Sequence, residues 1–368
     1  MSDKSKPILV GFTGGLRSSV LGVLLKEQGF EVSGLYLDLS QFSHPLWASV
    51  CGSVGSSQDL KTAQESAEKL GISLQVISGA GLFEQKVVDP TIHAALLRNE
   101  EHPGVLFHSE LLLPVLHQVA LEMGCQSWAT GHRVLTQGKD LLLSGQAHWV
   151  AFAAQAVLDS GSFPLGAFQE SHLSKLGSQI GNSNPSPLPS GHHPAVDHPE
   201  LWKAWVAPRV STEFLQRGWV RHPRISTGIA EHPGIFAFPI GTPVSVSNEE
   251  EGPSSLIAVD YDSASQTLWA MPAEQTERRS LTLEEVSWWD SSVRPLGESI
   301  ELLVCSSNGK TQVASARVQF HSLQTARLDL HAPTRHLYLG TRVLFLKDRR
   351  VVGHARVSSA MPLGEFLT

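Results

Sequence analysis

The 368-residue sequence contains only three cysteines, Cys51, Cys125 and Cys305, which lie far apart along the chain. No two of them form a C-x-x-C motif, so the sequence predicts neither a disulfide framework nor a zinc site. We interpret these thiols as buried or incidental. Chemistry that requires a cluster of cysteines is therefore not expected.

Positive charge is also scarce. Charged residues make up 17% of the chain, and the formal net charge is −7. A general electrostatic attraction between the whole molecule and nucleic acid is therefore excluded. Any contact with RNA must use a local basic surface.

Long apolar runs are missing as well, because no stretch approaches the length of a membrane span. The first seven residues are polar and lead directly into an apolar strand. We therefore expect a cytoplasmic protein without a membrane partner. The length and the 41% hydrophobic content predict two or three domains, and we expect a monomer.

The sequence from Ile8 to Val20 is an apolar strand that continues through a Gly-Gly turn into a helix. Glycines allow the backbone to approach an anion, hydroxyls can bind it, and the N-terminus of a helix favours negative charge. The pattern predicts a phosphate site. Its candidate residues are Gly11, Thr13, Gly14, Gly15, Arg17, Ser18 and Ser19. The alternative is that the glycines serve only close packing of the helix on the strand.

Strand and helix patterns repeat after this turn. The predicted elements are helix Val20–Phe30, strand Val32–Leu37, a helix over 60–70, strand Ile72–Val76, helix Leu111–Met123 and a strand tip over 127–132. The repetition predicts a doubly wound parallel sheet with ligands at the carboxyl ends of its strands. Leu37, Gly131 and His132 fall at such ends and complete the candidate nucleotide site.

Short β segments dominate from about Ser226 onward. The last predicted strands are Ser299–Cys305, Thr311–Phe320, Arg342–Leu346 and Val351–Val357, with turns at Asn308-Gly309 and over 347–350. They predict a small antiparallel barrel. We divide the chain into an α/β domain with its linker (1–200), a central β-rich domain (201–293) and a C-terminal β-barrel (294–368).

Tryptophans alternate with basic residues between Trp202 and Arg224. This composition suits base stacking and phosphate contacts on RNA. The candidate RNA-binding residues are Arg209, Arg217, Arg221 and Arg224, together with Arg349 and Arg350 in a predicted barrel turn. The alternative is that the tryptophans belong to the core and the arginines only solvate the surface.

Residues 192–198 carry His192, His193, Asp197 and His198, whose side chains could bind a metal. Prolines lie on both sides of this segment and work against a fixed tetrahedral arrangement. We therefore expect no metal site here.

Several ordered segments resemble the tRNA-uridine 2-sulfurtransferases, or tRNA 2-thiouridylases, of the PP-loop ATP pyrophosphatase superfamily. Residues 13–19 resemble the motif S-G-G-x-D-S-S, with Thr13 in place of the first serine and Arg17 in place of the aspartate. The further matches are 129–132 with A-T-G-H, 163–166 with F-P-L-G, 230–235 with G-E-H-x-G, and 239–242 in the place of T-I-G-Q-R. The resemblance implies a PP-loop domain that binds ATP and a frame that binds tRNA.

The same resemblance shows where the family's chemistry is missing. Those enzymes carry a persulfide on a cysteine of N-P-C-x-x-C-N and use a second cysteine further along. Gly104 stands at the first place, and residues 182–189 contain no cysteine at the second. The K-D-Q-S-Y-F tract is replaced by residues 149–155. The resemblance therefore implies no catalytic residue for sulfur transfer.

Arg17 changes the ATP half of the reaction. An aspartate there would help to hold magnesium, whereas a guanidinium cannot ligate a metal and attracts phosphate directly. We expect ATP, AMP or phosphate as the ligand, without magnesium. The alternative is that Arg17 belongs to a retired site, where it is solvated or paired.

The sequence thus predicts a divergent 2-thiouridylase relative that binds tRNA or other RNA and a nucleotide or phosphate, but cannot transfer a persulfide. Two other interpretations remain open. One is an active PP-loop enzyme that modifies RNA without a thiol, and the other is a protein-interaction scaffold.

Overall fold

The computed structural model describes residues 6–42, 44–51, 57–184, 193–224, 227–248, 252–290, 297, 299–306 and 313–359. The chain divides into two compact units. The first contains residues 1–88 and 104–190, and the second contains residues 89–103 and 191–368. The finer division at residues 200 and 293 stays a prediction.

The strands of the first unit are β1 (Lys6–Gly11), β2 (Phe30–Asp38), β3 (Ser73–Ser78), β4 (Ser127–Ala129), β5 (Thr136–Gln137), β6 (Asp140–Leu141) and β7 (Gly161–Ser162). The α-helices of the chain are α1 (Leu16–Glu27), α2 (Pro45–Cys51), α3 (Ser57–Leu70), α4 (Ala80–Phe83), α5 (Asp89–Leu96), α6 (Pro103–Val105), α7 (Leu113–Glu122), α8 (Ala147–Val150), α9 (Gln155–Ser160), α10 (Glu170–Gln179), α11 (Pro194–Asp197) and α12 (Pro199–Val206). Two stretches with π-helical hydrogen bonding, Glu84–Val88 and Leu106–Leu112, lie between helices.

Five strands form one parallel sheet in the order β3-β2-β1-β4-β7. The central strand β1 carries Ile8, Leu9 and Val10, each at most 2% exposed, because helices cover both faces of the sheet. The predicted doubly wound parallel sheet is confirmed. Its topology brings the carboxyl ends of β1, β2 and β4 to one edge.

Helix α1 begins at Leu16, so the predicted start at Val20 is wrong. Gly15 precedes the helix with an extended backbone (φ −75°, ψ 170°), and the first helical turn then follows at once. The apolar pattern did not reach the first turn, because most of its residues are polar although they are buried. The difference places Arg17, Ser18 and Ser19 in the first turn, next to the carboxyl end of β1.

The helical stretch Pro103–Glu122 is long and apolar enough to span a membrane by length and composition, contrary to the sequence-based expectation. Of its most apolar window, 61% is buried inside the protein. That degree of burial is typical of a core helix.

The strands of the second unit are β8 (Gly218–Arg221), β9 (Gly228–His232), β10 (Pro243–Asn248), β11 (Gly252–Asp262), β12 (Thr267–Met271), β13 (Arg278–Trp288), β14 (Ser299–Ser306), β15 (Ala314–Phe320), β16 (Ala326–Thr334), β17 (Arg342–Lys347) and β18 (Arg350–Ser359). The first five form a sheet in the order β10-β11-β12-β8-β9, and the last six close into a barrel in the order β13-β16-β15-β14-β17-β18. The predicted antiparallel barrel is confirmed.

Alternating apolar residues fill the barrel. Leu302, Val318 and Phe345, from the neighbouring strands β14, β15 and β17, lie in one buried cluster. The predicted turn over 347–350 is present as a tight β17–β18 connection, in which Asp348 adopts φ +58°. The predicted turn at Asn308-Gly309 lies outside the described residues.

Candidate functional site

A cavity of about 160 Å³ lies at the carboxyl edge of the parallel sheet. The ends of β1, β2 and β4 form its floor, and the first turn of α1 closes one side. Its lining residues are Gly11, Phe12, Thr13, Arg17, Ser18, Leu35, Tyr36, Leu37, Leu39, Cys51, Phe107, His108, Leu112, Thr130, Gly131, His132 and Gln146. The cavity therefore has an apolar wall, mainly from β2, and a polar end at the turn.

Hydrogen bonds inside the Gly-Gly turn fix its shape. The Thr13 N–H donates to Ser18 Oγ over 3.2 Å, and that hydroxyl donates to the Gly15 carbonyl over 3.1 Å. The Leu16 N–H donates to the Asn184 carbonyl over 3.0 Å. Part of the donor capacity that the turn could offer an anion is thus used by the fold itself.

Gly14 and Ser19 face away from the cavity. Gly14 has φ +71°, and a Cβ there would lie 2.6 Å from Ala63 Cα on α3. Its carbonyl accepts hydrogen bonds from Ser66 Oγ and Asn182 Nδ2, and the same amide group donates to Ser19 Oγ over 2.8 Å. For these two residues the geometry supports the packing interpretation.

Of the ten candidate nucleotide-site residues, seven line the cavity, namely Gly11, Thr13, Arg17, Ser18, Leu37, Gly131 and His132. Gly131 has a specific steric role, because a Cβ at this position would lie 3.0 Å from Arg17 Cβ. Its lack of a side chain lets the loop after β4 approach the first turn of α1. Gly14, Gly15 and Ser19 are not among the lining residues.

Arg17 is almost buried, with 9% of its side chain exposed. Its Nη2 lies 3.3 Å from a carboxylate oxygen of Glu170, the first residue of α10. Arg133 Nη1 lies 3.4 Å from the same oxygen. The predicted alternative of a paired Arg17 is therefore realised in part, since the guanidinium both lines the cavity and contacts a half-exposed carboxylate.

His132 is the centre of a buried polar chain. Its Nδ1 lies 2.8 Å from Thr130 Oγ1, and its Nε2 lies 2.9 Å from His108 Nδ1. The His108 ring stacks on Trp149 with an interplanar angle of 4°. Burial, followed by the positive charge of Arg17, lowers the pKa of His132 to about 4. His132 is therefore neutral at pH 7. A neutral imidazole has one donor and one acceptor nitrogen, so it can donate one hydrogen bond and accept another within this chain.

His108, Trp149 and Glu170 were not among the site residues predicted from the sequence. His108 follows Gly104, which stands at the place of the family's first cysteine, by four residues. His108 lies 24 residues from His132, and Glu170 lies 153 residues from Arg17. Pairs so far apart in the chain leave no local sequence pattern.

Cys51, interpreted from the sequence as buried or incidental, lines the cavity. Burial raises the pKa of its thiol well above the usual value. The thiolate is the nucleophilic form, so this environment disfavours nucleophilic chemistry at neutral pH.

Apolar and polar side chains occupy different parts of the cavity. Leu37 and Phe107 can cover an apolar ring, while Thr13, Ser18 and Arg17 can contact phosphate oxygens. The described lining residues include no carboxylate, and Arg17 cannot ligate magnesium.

The candidate RNA-binding arginines lie in the second unit. Arg209 stacks over Trp205, with 3.6 Å between its Cζ and the ring centroid, and donates to the Trp205 carbonyl. Arg217 and Arg224 are exposed, and Arg221 is half-buried on β8. Arg349 is exposed at the β17–β18 turn, whereas Arg350 lies 3.1 Å from the buried carboxylate of Asp290.

Many of the other barrel arginines form ion pairs. The pairs are Arg317 with Glu301, Arg327 with Asp329, Arg335 with Glu277, Arg342 with Glu101, and Arg356 with Glu101 and Glu285. The basic composition of this segment is therefore largely neutralised at its surface.

The histidine-rich segment is only partly described, because His192 lies outside the described residues. His193 Nδ1 accepts a hydrogen bond from the Ala195 N–H at the start of α11, and its ring packs on Trp202 with 4.8 Å between centroids. No group of three or more potential metal ligands occurs among the described residues.

Comparisons with known proteins agree with this architecture. Residues 6–184 match the family described as the tRNA methyl transferase HUP domain. The chain is 26% identical to the tRNA-specific 2-thiouridylase MnmA of Magnetococcus marinus over 370 residues, which span 94% of this chain and 97% of the relative. It is 25% identical to the enzyme of the same name from Rhodopseudomonas palustris, over 81% of this chain and 76% of the relative.

A solved structure described as a predicted subunit of tRNA methyltransferase from Methanocaldococcus jannaschii also matches. It is 21% identical, with a TM-score of 0.29, over 47% of this chain and 74% of that protein.

The parallel sheet, the Gly-Gly turn and the cavity at its carboxyl edge define a nucleotide-binding fold of the PP-loop class. Over nearly its full length the chain is similar to the tRNA 2-thiouridylases, and its first 184 residues contain the match to the tRNA methyl transferase HUP domain.

Proposed function

We propose that this protein is an RNA-binding member of the tRNA 2-thiouridylase family that binds a nucleotide or phosphate at the PP-loop without magnesium and does not transfer sulfur to tRNA. One observation carries the proposal. The almost buried guanidinium of Arg17 lies in the first turn of α1, at the end of the cavity where the family motif has an aspartate.

The positive end of α1 and the charge of Arg17 both favour an anion there. The ion pair with Glu170 does not remove this preference, because a half-exposed carboxylate in contact with water can move aside at modest cost. An anion can therefore replace Glu170 as the partner of Arg17.

The absence of sulfur transfer follows from the thiols. Gly104 cannot carry a persulfide, and the one thiol among the described lining residues of the cavity, Cys51, has a raised pKa. Efficient persulfide chemistry needs a thiolate close to the reacting carbon.

The RNA part of the proposal is supported by the relatives, whose names describe tRNA-specific enzymes. In this chain, Arg217 and Arg224 are exposed and the Arg209 guanidinium lies over the Trp205 ring. These cations can contact phosphates without any excess of positive charge over the whole molecule.

A tRNA thiolation assay tests the chemical half of the proposal. Purified protein is incubated with tRNA, ATP, magnesium and a persulfide donor, and 2-thiouridine is measured by mass spectrometry. We expect no product above the level of a reaction without protein. A Cys51→Ala variant provides the matched control. Product that appears with the wild type and disappears with this variant would overturn the proposal and identify Cys51 as the sulfur carrier.

A further inference from the structure

The sheet formed by β8 to β12 buries one face and leaves a cluster of aromatic and basic side chains on the other. Val220, Tyr261 and Leu268 belong to the core on the buried face. Side chains alternate along a strand, and directly paired residues share a face. Because Trp269 pairs with Arg221, and Arg221 lies two residues from Trp219, these three side chains lie together on the opposite face.

Trp219 is the most accessible member of this cluster, with 45% of its surface exposed. Its ring lies against the neighbouring strand β9 at Gly228. A Cβ on Gly228 would lie 2.4 Å from Trp219 Cε3 and 2.8 Å from Cδ2. Because Gly228 has no side chain, the indole can occupy this position against β9.

We infer that this face is a stacking surface for unpaired bases of RNA, an inference that rests on the RNA partner in the proposed function. Every base has a π-face, and stacking on an exposed indole is worth enough to guide binding without sequence preference. The half-buried Arg221 lies on the same face, directly opposite Trp269 and two residues along β8 from Trp219. There its guanidinium plane can stack on a base or contact a phosphate.

Charges around the cluster decide which kind of RNA fits. Arg217 precedes Trp219 and is exposed, so the start of β8 favours a phosphate backbone. Glu231 pairs with Trp219 across the β8–β9 ladder and is also exposed, whereas Asp260 is neutralised by Arg98 at 3.2 Å. A carboxylate beside the ring disfavours dense phosphate contacts. The surface therefore suits a single strand with accessible bases better than a duplex.

Fluorescence anisotropy with labelled oligonucleotides tests this inference. The probes are a single-stranded oligoadenylate of about twelve nucleotides, an abasic oligomer of the same length, and a duplex RNA. We expect Trp219→Leu to weaken oligoadenylate binding at least about fivefold and to leave binding of the abasic oligomer unchanged. Trp219→Phe should retain most of the affinity, because a phenyl ring also stacks.

Gly228→Ala is a second variant. It keeps the indole in the protein but displaces the ring from its position against β9. We expect it to weaken oligoadenylate binding as well. Leu323→Ala, which truncates a 77% exposed apolar residue in the barrel, is the surface control and should bind like the wild type.

The outcomes separate this inference from the proposed function. If Trp219→Leu binds oligoadenylate and tRNA like the wild type, the stacking surface is excluded, while RNA binding through the arginines stands. An equal loss of affinity for the abasic oligomer would also overturn the inference, since it would indicate a structural role for the ring. Failure of the wild type to bind any RNA at low salt would remove both the inference and the RNA partner.

Discussion

At the residue scale, the first turn of α1 combines two positive contributions. The guanidinium of Arg17 adds to the positive end of the helix, and Glu170 is the carboxylate in contact with it. The neutral state of His132 fits this environment, because a third positive charge would be repelled by Arg17 in a buried site. The polar end of the cavity is therefore organised around one cation.

The lowered pKa of His132 predicts how the free energy of unfolding depends on pH. Its pKa is about 4 in the folded protein and about 6.5 in an unfolded chain. The unfolded state thus binds the proton more readily, so stability is full above about pH 6.5 and falls as the pH drops towards 4, by about 3 kcal/mol. Urea unfolding at several pH values should show this loss, and His132→Gln should reduce it.

His354 provides the control for this measurement. Burial, followed by Arg342, also lowers the pKa of His354 to about 4, so it contributes a similar acid dependence in the second unit. His354→Gln should leave the contribution of the first unit intact. If the wild type and His132→Gln lose the same stability between pH 6.5 and pH 4, the buried neutral His132 is contradicted.

At the scale of the elements, the Gly-Gly turn has two separate functions. Arg17 and Ser18 face the cavity, while Gly14 allows α3 to pack against the turn. The packing interpretation therefore applies to Gly14, whereas the phosphate site stays a prediction for Arg17 and Ser18. A substitution at Gly14 should therefore lower the free energy of unfolding.

Gly14→Ala combines a left-handed backbone with a contact of 2.6 Å to the backbone of Ala63. We expect it to lower the free energy of unfolding by more than about 2 kcal/mol, because backbone atoms cannot move aside cheaply. Gly29→Ala is the matched control, since Gly29 has φ +86° but a Cβ added there would meet no atom within 4 Å. It should cost only about 1–2 kcal/mol. Equal losses in urea unfolding would contradict the packing role.

The parallel sheet and the barrel could be predicted from the sequence because their signals are local. Apolar runs such as 8–10 and alternation such as 316–320 repeat over a few residues and do not depend on distant partners. The start of α1 was missed because its first turn carries polar residues that face the cavity. The pairs Arg17–Glu170 and His132–His108 were missed because each joins segments that only the fold brings together.

At the scale of the whole molecule, the net charge of −7 and the ion pairs of the barrel limit the attraction for RNA. Glu101 illustrates this limit. Its burial alone would raise its pKa, but Arg342 and Arg356 outweigh that effect and lower the pKa. Two of the basic residues of the barrel thus hold α5 and its following loop in place within the second unit.

Salt dependence of tRNA binding measures the remaining phosphate contacts. Arg349 is exposed and Arg350 is half-buried, so we expect Arg349→Ala to flatten the salt slope by about one unit and Arg350→Ala to change it less. Arg317→Ala, which removes an exposed arginine paired with Glu301, is the control. If neither turn variant changes affinity or slope, these two arginines only solvate the turn.

The most direct test of the central claim is calorimetric titration of the PP-loop site with AMP, ATP and inorganic phosphate, in EDTA and in magnesium. If Arg17 replaces the metal, at least one of these anions binds in EDTA, magnesium does not strengthen binding, and Arg17→Ala abolishes it. Glu170→Gln, which keeps the cation and removes its competing carboxylate, should bind at least as tightly as the wild type. Binding that requires magnesium, or that persists unchanged in Arg17→Ala, would contradict the account.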